Sequence, residues 1–269
     1  MTATTEKVAA LRAQLAAQGL ETLVTNARVP MGFAPADAVL KGGLQRGTLH
    51  EVYAATGSEA SATAFAAGLA ARVADKKKIL WIRQDYSALE FGELSATGFL
   101  ELGIDPSQIL LVCTAPADDA IKAASDALTC AALGAVVIEL PGEPKILDLV
   151  TSRRLTLAAS QKNVTAILLR LGARVQDSTA ETRWFIRTRA SPLEEENWGQ
   201  PVFETDLVRN RHGRMGHWVM EWNCDAGLFE EPRRGNTAHY RAVVSAPFDG
   251  SFAAALEGAG RADACRSHG

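Results

Sequence analysis

Through the middle of the chain, short apolar runs alternate with longer segments whose apolar residues fall three or four positions apart. The runs Leu49 to Ala54, Ile79 to Ile82, Ile109 to Cys113, Ala135 to Leu140 and Thr165 to Leu171 predict strands. The segments between them, Ser61 to Ala74, Ala88 to Leu102, Ala117 to Leu133 and Ile146 to Ser160, predict helices. Strand and helix in turn make βαβ units. A run as continuously apolar as Ala135-Val136-Val137-Ile138 suits a parallel strand covered on both faces. After residue 180 the rhythm changes: Arg183 to Thr188, Phe203 to Asn210 and His217 to Asn223 predict three strands. The turn Asn210-Arg211-His212-Gly213-Arg214 joins the last two as a hairpin, an antiparallel extension on one sheet edge.

The ends of the chain have other patterns. Between Thr5 and Gln18, Val8, Leu11 and Leu15 mark a narrow amphipathic helix closed by Gly19, which alone buries too little to be stable and is expected to dock on a neighbouring surface. Pro30, Gly32, Pro35, Gly42, Gly43 and Gly47 then punctuate a turn-rich approach to the main fold. Ser245 to Gly269 has little apolar periodicity and is expected to be loosely attached. The organisation predicted is an N-terminal helix and linker at 1–27, an α/β domain at 28–224 with a mostly parallel sheet flanked by helices, and a flexible tail at 225–269.

Composition narrows the class. With 269 residues, 47% of them hydrophobic and 22% charged, the chain is long enough for a large core. It contains no run of 18 apolar residues, and Met1-Thr2-Ala3-Thr4-Thr5-Glu6 does not open a secretory signal, so a cytoplasmic protein without a membrane contact is expected. Cys113, Cys130, Cys224 and Cys265 are scattered without ligand spacing, which argues against a disulfide framework and a zinc site. Charge is divided unevenly. Residues 1–150 carry 12 basic against 17 acidic side chains, and residues 151–269 carry 16 against 14. Basic residues of the second half are arginines apart from Lys162, the side chain suited to bidentate contacts with phosphate or carboxylate.

The first strand leads into the first long helix where a phosphate-binding loop of pattern GxxxxGK[ST] would sit. Here that stretch is Ala54-Ala55-Thr56-Gly57-Ser58-Glu59-Ala60-Ser61, and only Ser61 matches. Ala54 and Glu59 place β-carbons where glycine avoids them, Ala60 removes the phosphate cation, and Glu59 sets a negative charge at a helix N-terminus. Two acids stand where a nucleotide-hydrolysing sheet would use them: Asp85 just past the second strand, as a water-activating carboxylate, and Glu139 at the end of the fourth, as a magnesium ligand. Either is equally explained as a strand-end residue with no chemistry. His50, His212, His217, His239 and His268 form no HExxH and accompany no GxSxG elbow, so structural or solvent-facing roles are expected.

The segment Gly42-Gly43-Leu44-Gln45-Arg46-Gly47-Thr48-Leu49-His50-Glu51-Val52 resembles the lead-in to the phosphate loop of RecA-like recombinases. Together with the lysine-less loop, Ser152-Arg153-Arg154-Leu155-Thr156-Leu157-Ala158-Ala159, Thr182-Arg183-Trp184, and Val208 to Arg214 leading to Val219-Met220-Glu221-Trp222, it resembles the ImuA family over about residues 28–224. That resemblance implies a RecA-like core, damage-inducible (SOS) expression and an accessory role in error-prone translesion synthesis. The partners it implies are a Y-family-like polymerase homologue (ImuB), through it an error-prone C-family polymerase, and RecA filaments or single-stranded DNA. It also implies neither catalysis nor a cofactor, since the missing lysine sets this family apart from active recombinases.

On this basis the chain is expected to act by binding. Val8, Leu11 and Leu15 are candidate contacts with a partner or a second copy. Arg170, Arg174, Arg183, Arg187, Arg189, Arg209, Arg211 and Arg214 are candidate contacts with DNA or a partner, with Arg183, Arg187 and Arg189 on one face of one strand. Trp184 and Trp218 could stack on bases or fill the core. A rival class is an ATPase in which Asp85 and Glu139 act on a nucleotide held by arginines. A third is a cell-division inhibitor of the SulA kind, binding the division protein FtsZ.

Overall fold

All five predicted parallel strands are present in the structure, a computed structural model in which residues 27–191 and 199–233 are described. Val8, Leu11, Leu15 and the expected tail from Ser245 lie outside the described residues. The segment read as a linker is ordered: β1 (Arg28–Val29) pairs with β2 (Leu44–Gln45) around α1 (Ala34–Val39). Asp37 ties this unit together, its two carboxylate oxygens accepting the N–H groups of Met31 at 2.7 Å and Gly32 at 3.0 Å.

The chain continues through β3 (Leu49–Ala54), α2 (Glu59–Ala74), β4 (Lys78–Gln84), α3 (Ser87–Phe91), α4 (Ala96–Glu101), β5 (Ile109–Thr114), α5 (Ala117–Ala127), β6 (Leu133–Glu139), α6 (Leu149–Lys162) and β7 (Thr165–Arg170). It closes with β8 (Thr182–Arg189), β9 (Val202–Asn210), β10 (Gly216–Asn223) and β11 (Leu228–Glu230). Nine strands form one sheet in the order β11-β10-β9-β8-β3-β7-β6-β4-β5. From β5 to β8 neighbours run parallel, and from β8 to β11 they run antiparallel. This is the α/β architecture expected, a RecA-like core with an antiparallel extension.

Strand alternation sorts the core into two layers. On β6, Ala135 and Val137 join the cluster that also holds Phe65, Leu69 and Val73 of α2, whereas Val136 and Ile138 join Ala120 and Ala124 of α5 and Leu155 and Ala159 of α6. Both faces of the strand are therefore dry, which is why its sequence is unbroken by polar residues. Alanine-rich α2 is a strong helix former and approaches the sheet closely. Phe65 is its largest buried anchor, with ring centroids 5.5 Å from Trp184, 5.6 Å from Phe203 and 5.0 Å from Phe229. The first cluster thus extends across the antiparallel strands. Among the described residues, no helix is long and apolar enough to cross a membrane.

Three predicted elements differ in extent. The helix expected over Ala88 to Leu102 is two short helices, because Gly92 adopts φ +85° and Ser95 starts a new helix by accepting the Gly98 N–H at 3.0 Å. Helix α5 stops at Ala127, where the chain turns through Cys130 into β6. The α/β domain also passes the expected boundary at 224: β11 adds Phe229, wholly buried against Trp222 and Phe65, to the same core. A three-residue strand in a polar context leaves no detectable period, so its burial was not legible.

Candidate functional site

The junction between β3 and α2 is built as a single tight turn. The Ala55 N–H donates to the Ile186 carbonyl at 2.9 Å and the Ser58 N–H to the Ala55 carbonyl at 2.9 Å, with Gly57 at φ +77° supplying the left-handed residue the turn needs. Ser58 turns its Oγ away from the helix to accept the Thr188 N–H at 3.0 Å, and Ser61 Oγ lies 2.9 Å from Thr188 Oγ1. The loop is thus fastened to β8. Glu59 folds back, and its Oε1 accepts the Gly57 N–H at 3.2 Å. A carboxylate of the chain itself answers an amide and the positive helix end at the place a phosphate would need. Ala54 is buried at the end of β3, whereas Ala60 is exposed in the first turn of α2.

Glu139 is equally engaged. It is 1% exposed, and its two oxygens accept Arg83 Nη2 at 3.0 Å and Trp81 Nε1 at 2.9 Å. Arg83 stands opposite Glu139 in the register of β4 and β6, so the ion pair follows directly from strand pairing. Arg83 Nη2 also donates to the Gly92 carbonyl at 3.0 Å, tying the break between α3 and α4 to the end of the sheet. Asp85 is exposed beyond β4, held by its N–H to the Thr114 carbonyl. A magnesium nucleotide calls for a lysine, a cradle of free amides and an uncommitted acid. The residues here do not fit one: position 60 is alanine, an amide of the loop meets Glu59, and Glu139 faces a guanidinium. Neither Arg83 nor Trp81 was among the candidates; the signal was an arginine directly after the apolar run Ile79 to Ile82, a charge that burial obliges to find a partner.

The arginines fall into three groups. Arg170 and Arg183 are interior side chains, 1% and 6% exposed. Arg183 donates from Nε to Glu51 Oε2 at 2.6 Å and from Nη2 to the Gln176 carbonyl at 2.6 Å, and Arg170 donates from Nη2 to the Gly142 carbonyl at 2.7 Å. Their guanidinium carbons lie 5.7 and 5.8 Å from the centre of the Tyr53 ring, and burial raises the Tyr53 phenol above its ordinary pKa. This cluster binds the loops after β6 and β7 to β3. Arg187 and Arg189 do share a solvent-side face, but acids of β9 meet them: Arg187 lies 2.5 Å from Asp206, Arg189 lies 3.0 Å from Glu204, and His217 Nδ1 approaches Asp206 at 2.6 Å. Arg174, Arg211 and Arg214 are exposed and Arg209 is half-buried, without an ion pair to any described residue. The eight therefore do not converge on one surface. Of the two tryptophans, Trp184 is fully buried and Trp218 is half-buried with its ring 6.2 Å from that of Trp184. Cys113 and Cys130 are exposed and Cys224 is half-buried, all as free thiols. Among the described residues, no group of His, Cys, Asp and Glu is placed to hold a metal ion.

No protein-family model matches the chain. Among curated proteins it is similar to Protein ImuA of Caulobacter vibrioides, strain NA1000 / CB15N, and to Protein ImuA of the strain ATCC 19089 / CIP 103742 / CB 15. Each is 28% identical over 199 residues, covering 67% of this chain and 77% of the relative. Likeness in sequence falls on the same chain as the α/β sheet and the lysine-less loop: the chain is similar to the ImuA proteins.

Proposed function

We propose that the protein is a non-catalytic accessory factor of SOS-induced, error-prone translesion DNA synthesis, working by binding and without a cofactor. The observation that carries this reading is the state of the former nucleotide site. Glu59 occupies the turn amide and Glu139 is held by Arg83 and Trp81, so the residues that would bind a phosphate and a metal are used to hold the fold together. What remains is a scaffold with surfaces. Its partner in this reading is a Y-family-like polymerase homologue (ImuB), and through it an error-prone C-family polymerase. RecA and single-stranded DNA are secondary partners. For DNA, Arg174 after β7 and Arg209, Arg211 and Arg214 at the β9–β10 hairpin are those of the candidate arginines without an ion pair to a described residue.

The test is direct binding between the purified chain and the purified ImuB homologue of the same source, by biolayer interferometry at moderate salt. Saturable binding without added nucleotide is expected, unchanged when magnesium and ATP are present. Absence of binding, or binding that requires nucleotide, would overturn the reading.

A further inference from the structure

The loops at the two ends of the parallel sheet carry opposite charge. At the C-terminal ends of the strands, where open α/β sheets hold their ligands, the exposed side chains include Asp85, Glu93, Asp118, Glu143, Asp148 and Asp177, against Lys145 and Arg174. At the opposite end cations prevail. Lys76, Lys77 and Lys78 are all exposed where α2 returns to β4, Lys41 is exposed after α1, and Arg211 and Arg214 are exposed on the turn between β9 and β10. Lys77 and Lys78 give Nζ to the carbonyls of Ala131 at 3.0 Å and Ser107 at 2.8 Å, contacts that leave their charge unbalanced. The acids at this end are few and mostly engaged: Glu181 is 3% exposed, Asp75 meets Arg46 at 3.3 Å, and Asp105 accepts the Ser107 N–H at 2.8 Å, while Asp126 near the end of α5 is exposed. The cationic turn is also fixed in place. Asn210 Nδ2 donates to the carbonyls of Val39 and Arg214, each at 3.1 Å, and a β-carbon on Gly213 would lie 2.5 Å from the Val39 carbonyl oxygen. Lys41 and Arg214 line one cleft as a result.

From these we infer that the N-terminal end of the sheet is a surface for duplex DNA, which it holds by the phosphate backbone and without regard to sequence. The sign of the charge selects a polyanion, and the choice of side chains selects a nucleic acid over an acidic protein. Protein interfaces have an apolar centre and few lysines, whereas DNA interfaces are polar and strongly positive. Here Met215 is 68% exposed beside Arg214, but the other large apolar side chains more than half exposed lie on α3, α4 and α6: Leu89, Leu100, Leu149, Val150 and Leu157. A duplex is selected over a single strand by what is missing. Single strands are held by stacking their bases on aromatic rings, and among the described residues the aromatic side chain that is exposed, Tyr86, stands at the other end of the sheet. Phosphates at the acidic end would be repelled, so DNA approaches from the side opposite the lost nucleotide site.

The inference goes beyond the proposed function and would stand without the polymerase partner. Its test is fluorescence anisotropy of short labelled duplexes of two unrelated sequences with the full chain. Equal affinities are expected. With four phosphates met, by Lys41, Lys76, Arg211 and Arg214, log Kd should change with log salt with a slope of about 3.6, a weakening of roughly a hundredfold between about 50 and 200 mM salt. Arg211→Glu with Arg214→Glu should weaken binding at least tenfold and lower the slope by about 1.8. Lys41→Glu with Lys76→Glu, at positions without an ion pair to a described residue, should act alike and guards against a folding defect in the turn. Lys145→Glu with Arg174→Glu makes the same change in net charge at the acidic end and should leave Kd within twofold. No binding at low salt, binding indifferent to salt, or equal loss in the control pair would overturn the inference. So would tighter binding of the single strand, or equal competition by poly-glutamate at matched charge. Binding of the ImuB homologue is read separately, so its failure overturns the proposed function and leaves the DNA surface standing, and the converse holds.

Discussion

His50 is buried in β3, with Nδ1 2.7 Å from Thr182 Oγ1 and Nε2 2.9 Å from the Gln45 carbonyl. The carbonyl can only accept, so Nε2 carries the proton, and Thr182 Oγ1, which accepts Trp184 Nε1 at 3.0 Å, donates to Nδ1. Both ring nitrogens are satisfied in the neutral form. Burial pushes the His50 pKa down to about 4 from 6.5. Above pH 6.5 the ring is neutral whether the chain is folded or not, and the group adds no pH dependence. As pH falls from 6.5 to 4 the unfolded chain takes up a proton that the fold refuses, and stability drops by about 3 kcal/mol across that window. Urea midpoints measured from pH 7 to pH 4 should show this slope, and His50→Gln should flatten it. Arg183→Met is expected to cost about 3–5 kcal/mol in urea unfolding, because it leaves Glu51 buried and charged without its partner. At this scale the sequence showed the right residues in the wrong role. Arg170 and Arg183 stood out as cations near strand ends, but their partners lie on other strands and loops. Glu51 is 132 residues from Arg183, a distance over which a sequence pattern cannot match charges.

Among the elements, α2 decides how the two halves of the sheet share a core. Gly68 in its middle is helical by position yet costs helix propensity, and its place is explained by contact. A β-carbon there would lie 2.9 Å from Phe229 Cζ and 3.1 Å from the Trp222 ring. Gly68→Ala is therefore expected to destabilise by about 1–2 kcal/mol, although the substitution would gain about 1 kcal/mol in an exposed helix. Thermal unfolding followed by circular dichroism checks the sign. Phe229→Ala should cost about 3–5 kcal/mol by the same measurement, since the ring is completely buried between α2 and β10. Element type was legible wherever period and length were both clear, as in α2, α6 and the five parallel strands. Their ends were less so: the break at Gly92 is fixed by a hydrogen bond from Arg83, and β11 is fixed by one aromatic side chain.

For the whole molecule, the reading as a binding protein makes a thermodynamic prediction. A nucleotide held at a hundredfold excess over its dissociation constant stabilises a native state by about 2.7 kcal/mol, enough for a melting shift of several degrees in a domain of this size. Magnesium-ATP is expected to shift the melting temperature by less than about 1 °C, and a clear rise in scanning calorimetry would return the ATPase class to consideration. The architecture itself was largely legible, because alternation of strands and helices leaves few ways to cover a parallel sheet. The surface was not. Arginine composition suggested a basic face, and folding distributes those arginines among the interior, a neutralised ladder, the loop after β7 and the β9–β10 hairpin.

Strand β3 has one further consequence, for the order in which the sheet is assembled. Its neighbours are β7 and β8, with Leu49 beside Ala166 and His50 beside Thr182, more than a hundred residues along the chain on both sides. Strands β8 to β11, by contrast, pair with their immediate successors. Local hairpins close quickly, whereas distant parallel pairs wait on a costly loop closure. On a ribosome, β3 would emerge early and remain unpaired on both edges until the chain beyond residue 165 had been made. Refolding should accordingly be slow and sensitive to protein concentration, with the β3 pairs the last to gain protection from hydrogen exchange.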